Sequence, residues 1–466
     1  MYPVLGGFSV GPVLYRESLT AALSSIIRGL ILLQDAPPSR TVSVWLVPGF
    51  LLLLGRFGAV LNTARRWRLE AGPSVDTRTL MWRPEVPRAN MAYKLVLLPG
   101  DGTGPEVMRE AVKVLDAIEG AFGLAFDEVP YRVGGEYYLE KGAEWPDGAF
   151  ESCKAADAIL LGAVGHPDAV LPSGELAGIG VLFGLRFGLD LYANVRPTKL
   201  YPNVPHKVHD GFQQVWRPEM VDFVIVRENT EGLYTPTRGT LTRGGVDELA
   251  VDSRVITRKG AARVARFAFE LAKTRHGAPA DGKHRVTCVD KSNVTAGCKL
   301  FRKVYDEVAA TYPGIERDYA YIDAFCQWLV RSPEVYDVAV TSNMFGDITT
   351  DLAAVLQGGM GMAAGGNIGD AHAMFEPIHG SAPKYAGKDV VNPIAMILAA
   401  QMMLDWLGRR RGDKALQEAA VAVEGAVETV LTGGKVLTRD LGGTAKCSDV
   451  GTAIAAAVVK SGTGRR

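Results

Sequence analysis

Short apolar runs recur along most of the chain and alternate with segments of helical periodicity. The strand-like runs are residues 95–98, 158–161, 223–226, 286–289 and 338–341. Between them, residues 105–118, 260–273 and 299–310 repeat apolar positions at three- and four-residue intervals, as one face of a helix does. Strands that alternate with helices predict an α/β fold with a largely buried sheet.

The first ninety residues do not continue this pattern. They contain ten arginines, five acidic residues and no lysine, whereas all eighteen lysines of the chain come later. Their uncharged stretch 41–55 is shorter than the roughly 20 residues that span a bilayer. A targeting or membrane segment and an extra domain are alternatives, but we expect residues 1–90 to be a leader outside the catalytic fold, with Met91 as an alternative start.

Composition narrows the function classes. The chain has 51 basic and 51 acidic side chains, and this balance argues against a nucleic acid or an anionic membrane as its main partner. Its 47% of hydrophobic residues can form a sizeable core. The five cysteines are scattered without a CxxC pair, which is typical of reduced thiols in a cytoplasmic protein. We therefore expect a cytoplasmic protein without a membrane partner.

Two aspartates mark the clearest candidate site. Asp347 and Asp351 stand four residues apart at the start of a predicted helix, so they share one face. Two carboxylates on one face suit Mg²⁺ or Mn²⁺, which prefer hard oxygen ligands. An N-cap with a solvated neighbour is the alternative. Asp323, at the end of another strand-like run, would complete a three-carboxylate site.

Basic and proton-transferring side chains complement these acids. Arg186 and Arg196 flank residues 191–195, Arg227 closes the strand-like run 223–226, and arginine matches carboxylates with a rigid fork of donors. Lys291 follows a strand, and Tyr234 lies in a Glu-Gly-Leu-Tyr turn; both side chains can exchange protons. Taken singly, each is as readily a surface residue. The turn Gly100-Asp-Gly-Thr-Gly-Pro-Glu106 lacks GxGxxG spacing, so a ligand-facing loop and a plain tight turn both stay open.

Six ordered motifs carry a family resemblance. They are Leu98-Pro-Gly-Asp-Gly-Thr-Gly-Pro-Glu106, Leu191-Tyr-Ala-Asn-Val-Arg-Pro197, Val226-Arg-Glu-Asn-Thr-Glu-Gly-Leu-Tyr234, Asp290-Lys-Ser-Asn-Val294, Asn343-Met-Phe-Gly-Asp-Ile348 and Phe375-Glu-Pro-Ile-His-Gly-Ser-Ala-Pro383. Together they closely resemble the β-decarboxylating dehydrogenases, the family of the isocitrate and isopropylmalate enzymes. The resemblance runs from about residue 94 to about residue 456 and does not cover residues 1–90.

The resemblance implies a metal- and nicotinamide-dependent oxidation of a 2-hydroxy acid, followed by loss of CO₂. The three arginines would then hold the substrate carboxylates, and Asp323, Asp347 and Asp351 would bind Mg²⁺ or Mn²⁺. Lys291 would accept the hydroxyl proton, and Tyr234 would protonate the enolate carbon.

The resemblance also implies a two-domain architecture with the site in a cleft. The large coenzyme-binding domain would comprise residues 91–191 and 358–466, and a small dimerising domain would comprise residues 192–357. Lys291 and one of the three aspartates would reach the site from the partner chain, so a homodimer, or a dimer of dimers, is implied. A regulatory subunit of a heteromeric dehydrogenase is the non-enzyme alternative, although the metal and proton-transfer residues are all present.

The substrate is inferred from residues 178–186, which align with the family's specificity pocket. Isocitrate enzymes place polar side chains there, whereas this chain has Leu182 and Phe183. A carboxylate facing apolar groups would be desolvated at a cost of several kcal/mol. We therefore expect 3-isopropylmalate, with isocitrate, homoisocitrate, tartrate or D-malate as alternatives.

The coenzyme is expected to be NAD or NADP. Residues 379–392 resemble the family's adenosine loop, and the binding residues implied are Gly102, His379, Gly380, Ser381, Ala382, Lys384, Tyr385, Asn392 and Arg439. NAD-using members have an aspartate where this chain has Lys384, and Arg439 adds positive charge. Residues 438–443 otherwise resemble NAD-linked relatives. We favour NADP slightly.

Overall fold

The computed structural model describes residues 92–463, which all belong to one compact unit. The predicted leader, residues 1–90, lies outside the described residues. The strands are β1 (Tyr93–Leu98), β2 (Phe126–Pro130), β3 (Ala158–Leu161), β4 (Ala193–Lys199), β5 (His206–Val208), β6 (Gly211–Gln213), β7 (Asp222–Glu228), β8 (Arg238–Arg243), β9 (Val246–Asp252), β10 (Arg285–Asp290), β11 (Glu316–Tyr321), β12 (Val338–Thr341), β13 (Ala364–Ile368) and β14 (Ala373–Pro377).

Helices connect most of these strands. They are α1 (Gly104–Phe122), α2 (Gly135–Lys141), α3 (Ala149–Lys154), α4 (Ile179–Gly188), α5 (Arg258–Ala272), α6 (Ala296–Ala309), α7 (Ile322–Arg331), α8 (Asn343–Leu356), α9 (Ile394–Arg411), α10 (Lys414–Gly433) and α11 (Cys447–Thr463). None of the described helices combines the length and apolar character needed to cross a membrane.

One ten-stranded sheet organises the fold, in the order β11-β10-β12-β7-β4-β13-β14-β3-β1-β2. The pairs β7–β4, β4–β13 and β13–β14 are antiparallel, and the other pairs are parallel. Two parallel halves therefore meet at a central antiparallel segment. Two separate hairpins, β5–β6 and β8–β9, lie outside this sheet.

The sheet is apolar on both faces because helices cover both sides. In β1, Leu95 and Leu97 pack into the cluster built with α1, α9, α10 and α11. Val96 and Leu98 point the other way, into a cluster that includes residues of α4. Continuous apolar runs rather than alternation are the sequence signature of such strands.

The predicted α/β class is confirmed. The five apolar runs form or lie within β1, β3, β7, β10 and β12, and the predicted helix 105–118 is the body of α1. Helix α1 is followed by Gly123, whose left-handed φ of 65° closes the last turn. The division into domains of residues 91–191 with 358–466 and of residues 192–357 stays a prediction. The antiparallel centre of the sheet was not anticipated from the sequence.

Candidate active site

A cleft of about 380 Å³ opens where β3, β7 and β14 end, and residues of α4 and α8 contribute to its lining. Its size is typical of a site for a small molecule. Its lining residues are Gly162, Ala163, Val164, Ile179, Leu182, Phe183, Arg186, Arg196, Arg227, Tyr234, Asp347, Glu376, Pro377, Ile378, His379 and Gly380. The structure thus brings together all four residues for which substrate binding was predicted: Leu182, Arg186, Arg196 and Arg227.

Three arginines form the basic part of the cleft. Arg186, Arg196 and Arg227 are 5%, 6% and 1% exposed, respectively, so their charges are largely removed from solvent. Burial, together with the positive charges of Arg196 and Arg186, lowers the pKa of Arg227 to about 9. Burial also lowers the pKa of Arg196. A substrate with two carboxylates would relieve this concentration of positive charge.

A buried hydrogen-bond chain connects two of these arginines. Arg186 Nη2 donates to Glu376 Oε1 at 3.1 Å, and Asn367 Nδ2 donates to the same oxygen at 2.7 Å. Asn194 Nδ2 in turn donates to Asn367 Oδ1 at 2.8 Å, and Arg196 Nε donates to Asn194 Oδ1 at 2.7 Å. The two guanidinium groups are therefore held at a fixed separation by side chains within the sheet.

Sequence reasoning assigned no role to Glu376, Asn367 or Asn194. Glu376 lines the cleft, and both asparagines are fully buried on neighbouring strands, β13 and β4. The available signal was chemical: an acid and two amides inside otherwise apolar strands need hydrogen-bond partners.

The third arginine is joined to the predicted metal-binding helix. Arg227 donates through Nε and Nη2 to Asn343 Oδ1 at 2.9 and 2.7 Å, and it pairs with Asp347. The Tyr234 hydroxyl donates to Asp347 Oδ2 at 2.8 Å. Burial alone would raise the pKa of Asp347, but the charge of Arg227 and the Tyr234 hydrogen bond hold that pKa below its usual value. Burial and the bond to Asp347 raise the pKa of Tyr234 to about 12, so the phenol keeps its proton at neutral pH.

Asp351 lies one turn after Asp347 on α8, as the spacing predicted. Its Oδ1 is 3.7 Å from Arg196 Nη1, and 61% of its side chain is exposed. The two carboxylates offer hard oxygen donors of the kind that Mg²⁺ and Mn²⁺ take. Within the described chain, however, no set of three His, Cys, Asp or Glu side chains converges on a common metal position.

Lys291 and Asp323 lie together but do not line the cleft. Lys291 Nζ is 2.6 Å from Asp323 Oδ1, where β10 ends and α7 begins. The charge-assisted hydrogen bond from Lys291 lowers the pKa of Asp323. The structure therefore groups the predicted residues into a cleft set and a separate Lys291–Asp323 pair.

The predicted adenosine loop packs on the glycine-rich turn before α1. The backbone N–H of Thr103 donates to the Ser381 carbonyl at 2.8 Å, and a Cβ at Gly102 would lie only 2.2 Å from the same oxygen. The turn is braced by Asp101, whose carboxylate accepts N–H bonds from Gly135, Glu136 and Gly165 at 2.6–2.8 Å. The segment is therefore a tight turn that touches the predicted adenosine loop, and its role in facing a ligand stays a prediction.

The remaining loop residues continue from the cleft wall. His379 and Gly380 line the cleft, and Ala382 adopts a left-handed φ of 40° before a short 3₁₀ turn. In that turn, Lys384 Nζ lies 4.9 Å from the centre of the Tyr385 ring.

The last two predicted coenzyme residues lie near one another. Asn392 Nδ2 donates to Asp440 Oδ2 at 3.1 Å, next to the exposed Arg439. All nine predicted coenzyme residues thus lie on three segments: the glycine-rich turn, residues 379–392, and the 3₁₀ turn Arg439–Leu441.

Comparison with known proteins gives a consistent picture. The family model for isocitrate/isopropylmalate dehydrogenase matches residues 94–454. A 3-isopropylmalate dehydrogenase of Thermobifida fusca is 42% identical over 353 residues, covering 75% of this chain and 95% of the relative. A 3-isopropylmalate/3-methylmalate dehydrogenase of Methanocaldococcus jannaschii is also 42% identical, covering 75% and 94%.

Among solved structures, an isocitrate dehydrogenase from Methylococcus capsulatus is similar, with 36% identity and a TM-score of 0.67, covering 78% of this chain and 99% of that one. The matched region coincides with the residues that form the sheet and the cleft. The chain belongs to the isocitrate/isopropylmalate dehydrogenase family.

Proposed function

We propose that the chain oxidises 3-isopropylmalate to 4-methyl-2-oxopentanoate and CO₂, a step of leucine biosynthesis. The observation that carries this proposal is one cleft in which three buried arginines face an apolar wall. Ile179, Leu182 and Phe183 form the wall. Two carboxylates match the arginines, and an isopropyl group matches the wall. The names of the two relatives at 42% identity support the same substrate.

Isocitrate fits this cleft less well. It carries a third carboxylate where 3-isopropylmalate carries an alkyl group, and a carboxylate against Leu182 and Phe183 would lose hydration without gaining a donor. The similar solved structure that bears the isocitrate dehydrogenase name is less identical to the chain than the 3-isopropylmalate relatives.

Asp347 and Asp351 of the cleft, with Asp323, would hold the divalent cation. When bound, Mg²⁺ or Mn²⁺ supplies a Lewis acid that polarises the C2 oxygen of the substrate. A nicotinamide coenzyme supplies the hydride acceptor. Because the arginines fix both carboxylates, the C2–H bond is held in one orientation while water is kept out by the apolar wall.

Proton transfer falls to Lys291 and Tyr234. Lys291, in its amine form, would accept the C2 hydroxyl proton during the oxidation. Loss of CO₂ leaves an enolate whose C3 needs a proton. We assign this proton to Tyr234, which is protonated at neutral pH and lines the cleft beside Asp347.

The proposal includes a homodimer. Lys291 and Asp323 lie outside the cleft of their own chain, so we assign them to the cleft of a partner chain. Each complete site would then take its arginines, Tyr234 and two aspartates from one subunit, and Lys291 with Asp323 from the other.

For the coenzyme we favour NADP over NAD. Lys384 and Arg439 lie on two of the three segments that would surround the adenosine, where a positive charge suits a 2′-phosphate. A Lys384→Asp variant should shift the ratio of catalytic efficiencies towards NAD. An unchanged ratio would refute this role of Lys384.

The proposed function is tested by following reduced coenzyme with Mn²⁺ present. The substrates to compare are 3-isopropylmalate, isocitrate, homoisocitrate, tartrate and D-malate, each with NAD and NADP. We expect 3-isopropylmalate to give the highest kcat/KM. A preference for isocitrate or homoisocitrate would reject the substrate assignment, and inactivity on all five would favour a regulatory subunit.

A further inference from the structure

Helix α4, which carries the apolar wall, has a second face made of glycine. Gly180, Gly184 and Gly188 recur at four-residue intervals and therefore lie along one side of the helix. The side chains that line the cleft belong to the opposite side: Ile179, Leu182, Phe183 and Arg186. A push on the glycine face would thus move the wall directly towards the substrate.

The glycine face packs against three side chains, here called the supports: Glu144, Trp145 and Phe150. A Cβ at Gly180 would lie 2.1 Å from the Glu144 carboxylate, and one at Gly188 would lie 2.6 Å from the Phe150 ring. A Cβ at Gly184 would lie 3.1 Å from the ring of Trp145. A side chain at Gly180 or Gly188 would therefore overlap its neighbour, whereas one at Gly184 would make a tight contact.

The supports also fix the start of the helix and resist displacement. Glu144 Oε1 accepts N–H bonds from Gly178 at 2.6 Å and from Gly180 at 3.0 Å, in the first turn of α4. A carboxylate at a helix N-terminus is also favoured by the helix dipole. Trp145 and Phe150 pack edge to face, with 5.5 Å between their ring centres.

We propose that Glu144, Trp145 and Phe150 are positioning residues that set the depth of the alkyl pocket through the glycine face of α4. None of the three lines the cleft, but they determine how far Leu182 and Phe183 reach into it. This inference rests on the proposed function for the identity of the alkyl group. According to this inference, residues that do not line the cleft determine the largest 3-substituent that the pocket accepts.

The test is a Gly184→Ala variant assayed with malates that carry different 3-substituents. The added methyl group requires Trp145 or α4 to move by a few tenths of an ångström. We expect the ratio of kcat/KM for 3-isopropylmalate to that for 3-methylmalate to fall about tenfold, mainly through KM, because small changes in an apolar pocket discriminate to that extent.

A matched control is available in α10. Gly425→Ala makes the same change inside a helix, where nothing lies within 4 Å of the added Cβ. Both substitutions raise helix propensity, so neither should impair folding. The control should leave the substrate ratio unchanged, and an equal fall in both variants would overturn the proposal.

The contact between Gly184 and Trp145 can also be loosened by a smaller side chain at residue 145. Trp145→Phe should let α4 withdraw and shift the ratio towards the larger substituent, and combining it with Gly184→Ala should restore the wild-type ratio. A Gly184→Ala ratio within twofold of wild type, or a crystal structure of that variant with α4 unmoved, would overturn the proposal.

The proposed function and this inference fail separately. A wild type that prefers isocitrate would remove the proposed function. The ratio of isocitrate to D-malate in the same variants would then test whether the glycine face sets the room for a substituent.

Discussion

The cleft and the Lys291–Asp323 pair contain the same kinds of charged side chains in opposite surroundings. The Arg227 side chain is 2% exposed and is fixed by Asn343 and Asp347. Lys291 and Asp323 are 29% and 64% exposed. A buried ion pair depends on complete hydrogen bonding, whereas an exposed pair is readily exchanged for another partner. The cleft thus has a fixed geometry within one chain, and the exposed pair is free to serve another surface.

The largest effect should come from a substitution among the buried arginines of the cleft. Arg227→Lys keeps the charge but cannot bond Asn343, Asp347 and a substrate carboxylate at once, so we expect kcat/KM to fall about a thousandfold. Arg238→Lys, the same change at an exposed arginine of β8, is the control. Steady-state kinetics would measure both variants, and a loss below tenfold for Arg227→Lys would contradict a fixed cleft.

Lys291→Met tests the exposed Lys291–Asp323 pair. It should lower kcat about a hundredfold, because it removes a proton acceptor. The decisive measurement is mixing. When the Lys291→Met and Asp347→Asn chains are co-expressed, the preparation should recover about a quarter of wild-type activity. Half of the dimers contain one chain of each kind, and each of these dimers has one intact site out of two.

The same mixing has a built-in negative control. Since Lys291 and Asp323 are in contact in one chain, they should enter the same partner's cleft. Lys291→Met mixed with Asp323→Asn should therefore stay inactive. Recovery in this second mixture, or none in the first, would reject the shared site.

Asn367→Ala should loosen the cleft without touching the substrate. It leaves Asn194 and Glu376 without a shared partner, so we expect KM to rise about tenfold and the free energy of unfolding to drop by about 1–3 kcal/mol. Urea unfolding and KM for 3-isopropylmalate would be measured together. A stability loss with unchanged KM would show that the hydrogen-bond chain does not position the arginines.

The smallest effect concerns Glu128, a carboxylate that interacts with two other acidic side chains. Burial, with the charges of Asp116 and Glu119, raises the pKa of Glu128 on β2 to about 7. Because this pKa is raised on folding, Glu128 costs stability increasingly as pH rises from about 4.5 to about 7.

Glu128→Gln should therefore stabilise the protein at pH 8 by on the order of 1 kcal/mol, after allowance for solvent screening, and should have little effect at pH 4. Asp127→Asn, an exposed neighbour on the same strand, removes the same charge and serves as the control. Thermal unfolding at both pH values would measure the difference. Equal stabilisation at pH 4 and pH 8 would exclude the titration of Glu128 as its cause.

Much of this molecule follows from local pattern. Strands covered on both faces leave continuous apolar runs, so β3 and β12 were predicted to the residue. Asp347 and Asp351 fall on one helix face because the spacing of four is a local property of helices. The cleft arginines were predicted because they lie in or beside sequence motifs that resemble those of the family.

The hydrogen-bond chain could not be predicted because it depends on register. Asn367 meets Asn194 because β13 and β4 are antiparallel and place these two residues directly opposite one another. A shift of one of these strands by one residue would place the two amides on opposite faces of the sheet. Likewise, the three glycines of α4 are visible in the sequence, but their supports at residues 144–150 are known only from the packed structure.

The contact between Thr103 and Ser381 has a consequence for biosynthesis. These residues are separated by 278 positions, and nearby α1 packs against α11 at the far end of the chain. On the ribosome, the first strands emerge long before β14, α9 and α11 exist to cover them. The N-terminal part of the sheet therefore exposes apolar surface until these elements have been synthesised. Folding that depends on such long-range contacts is slow, and the exposed surface is prone to aggregation. We expect ribosome-associated chaperones to bind the nascent chain until α11 is released.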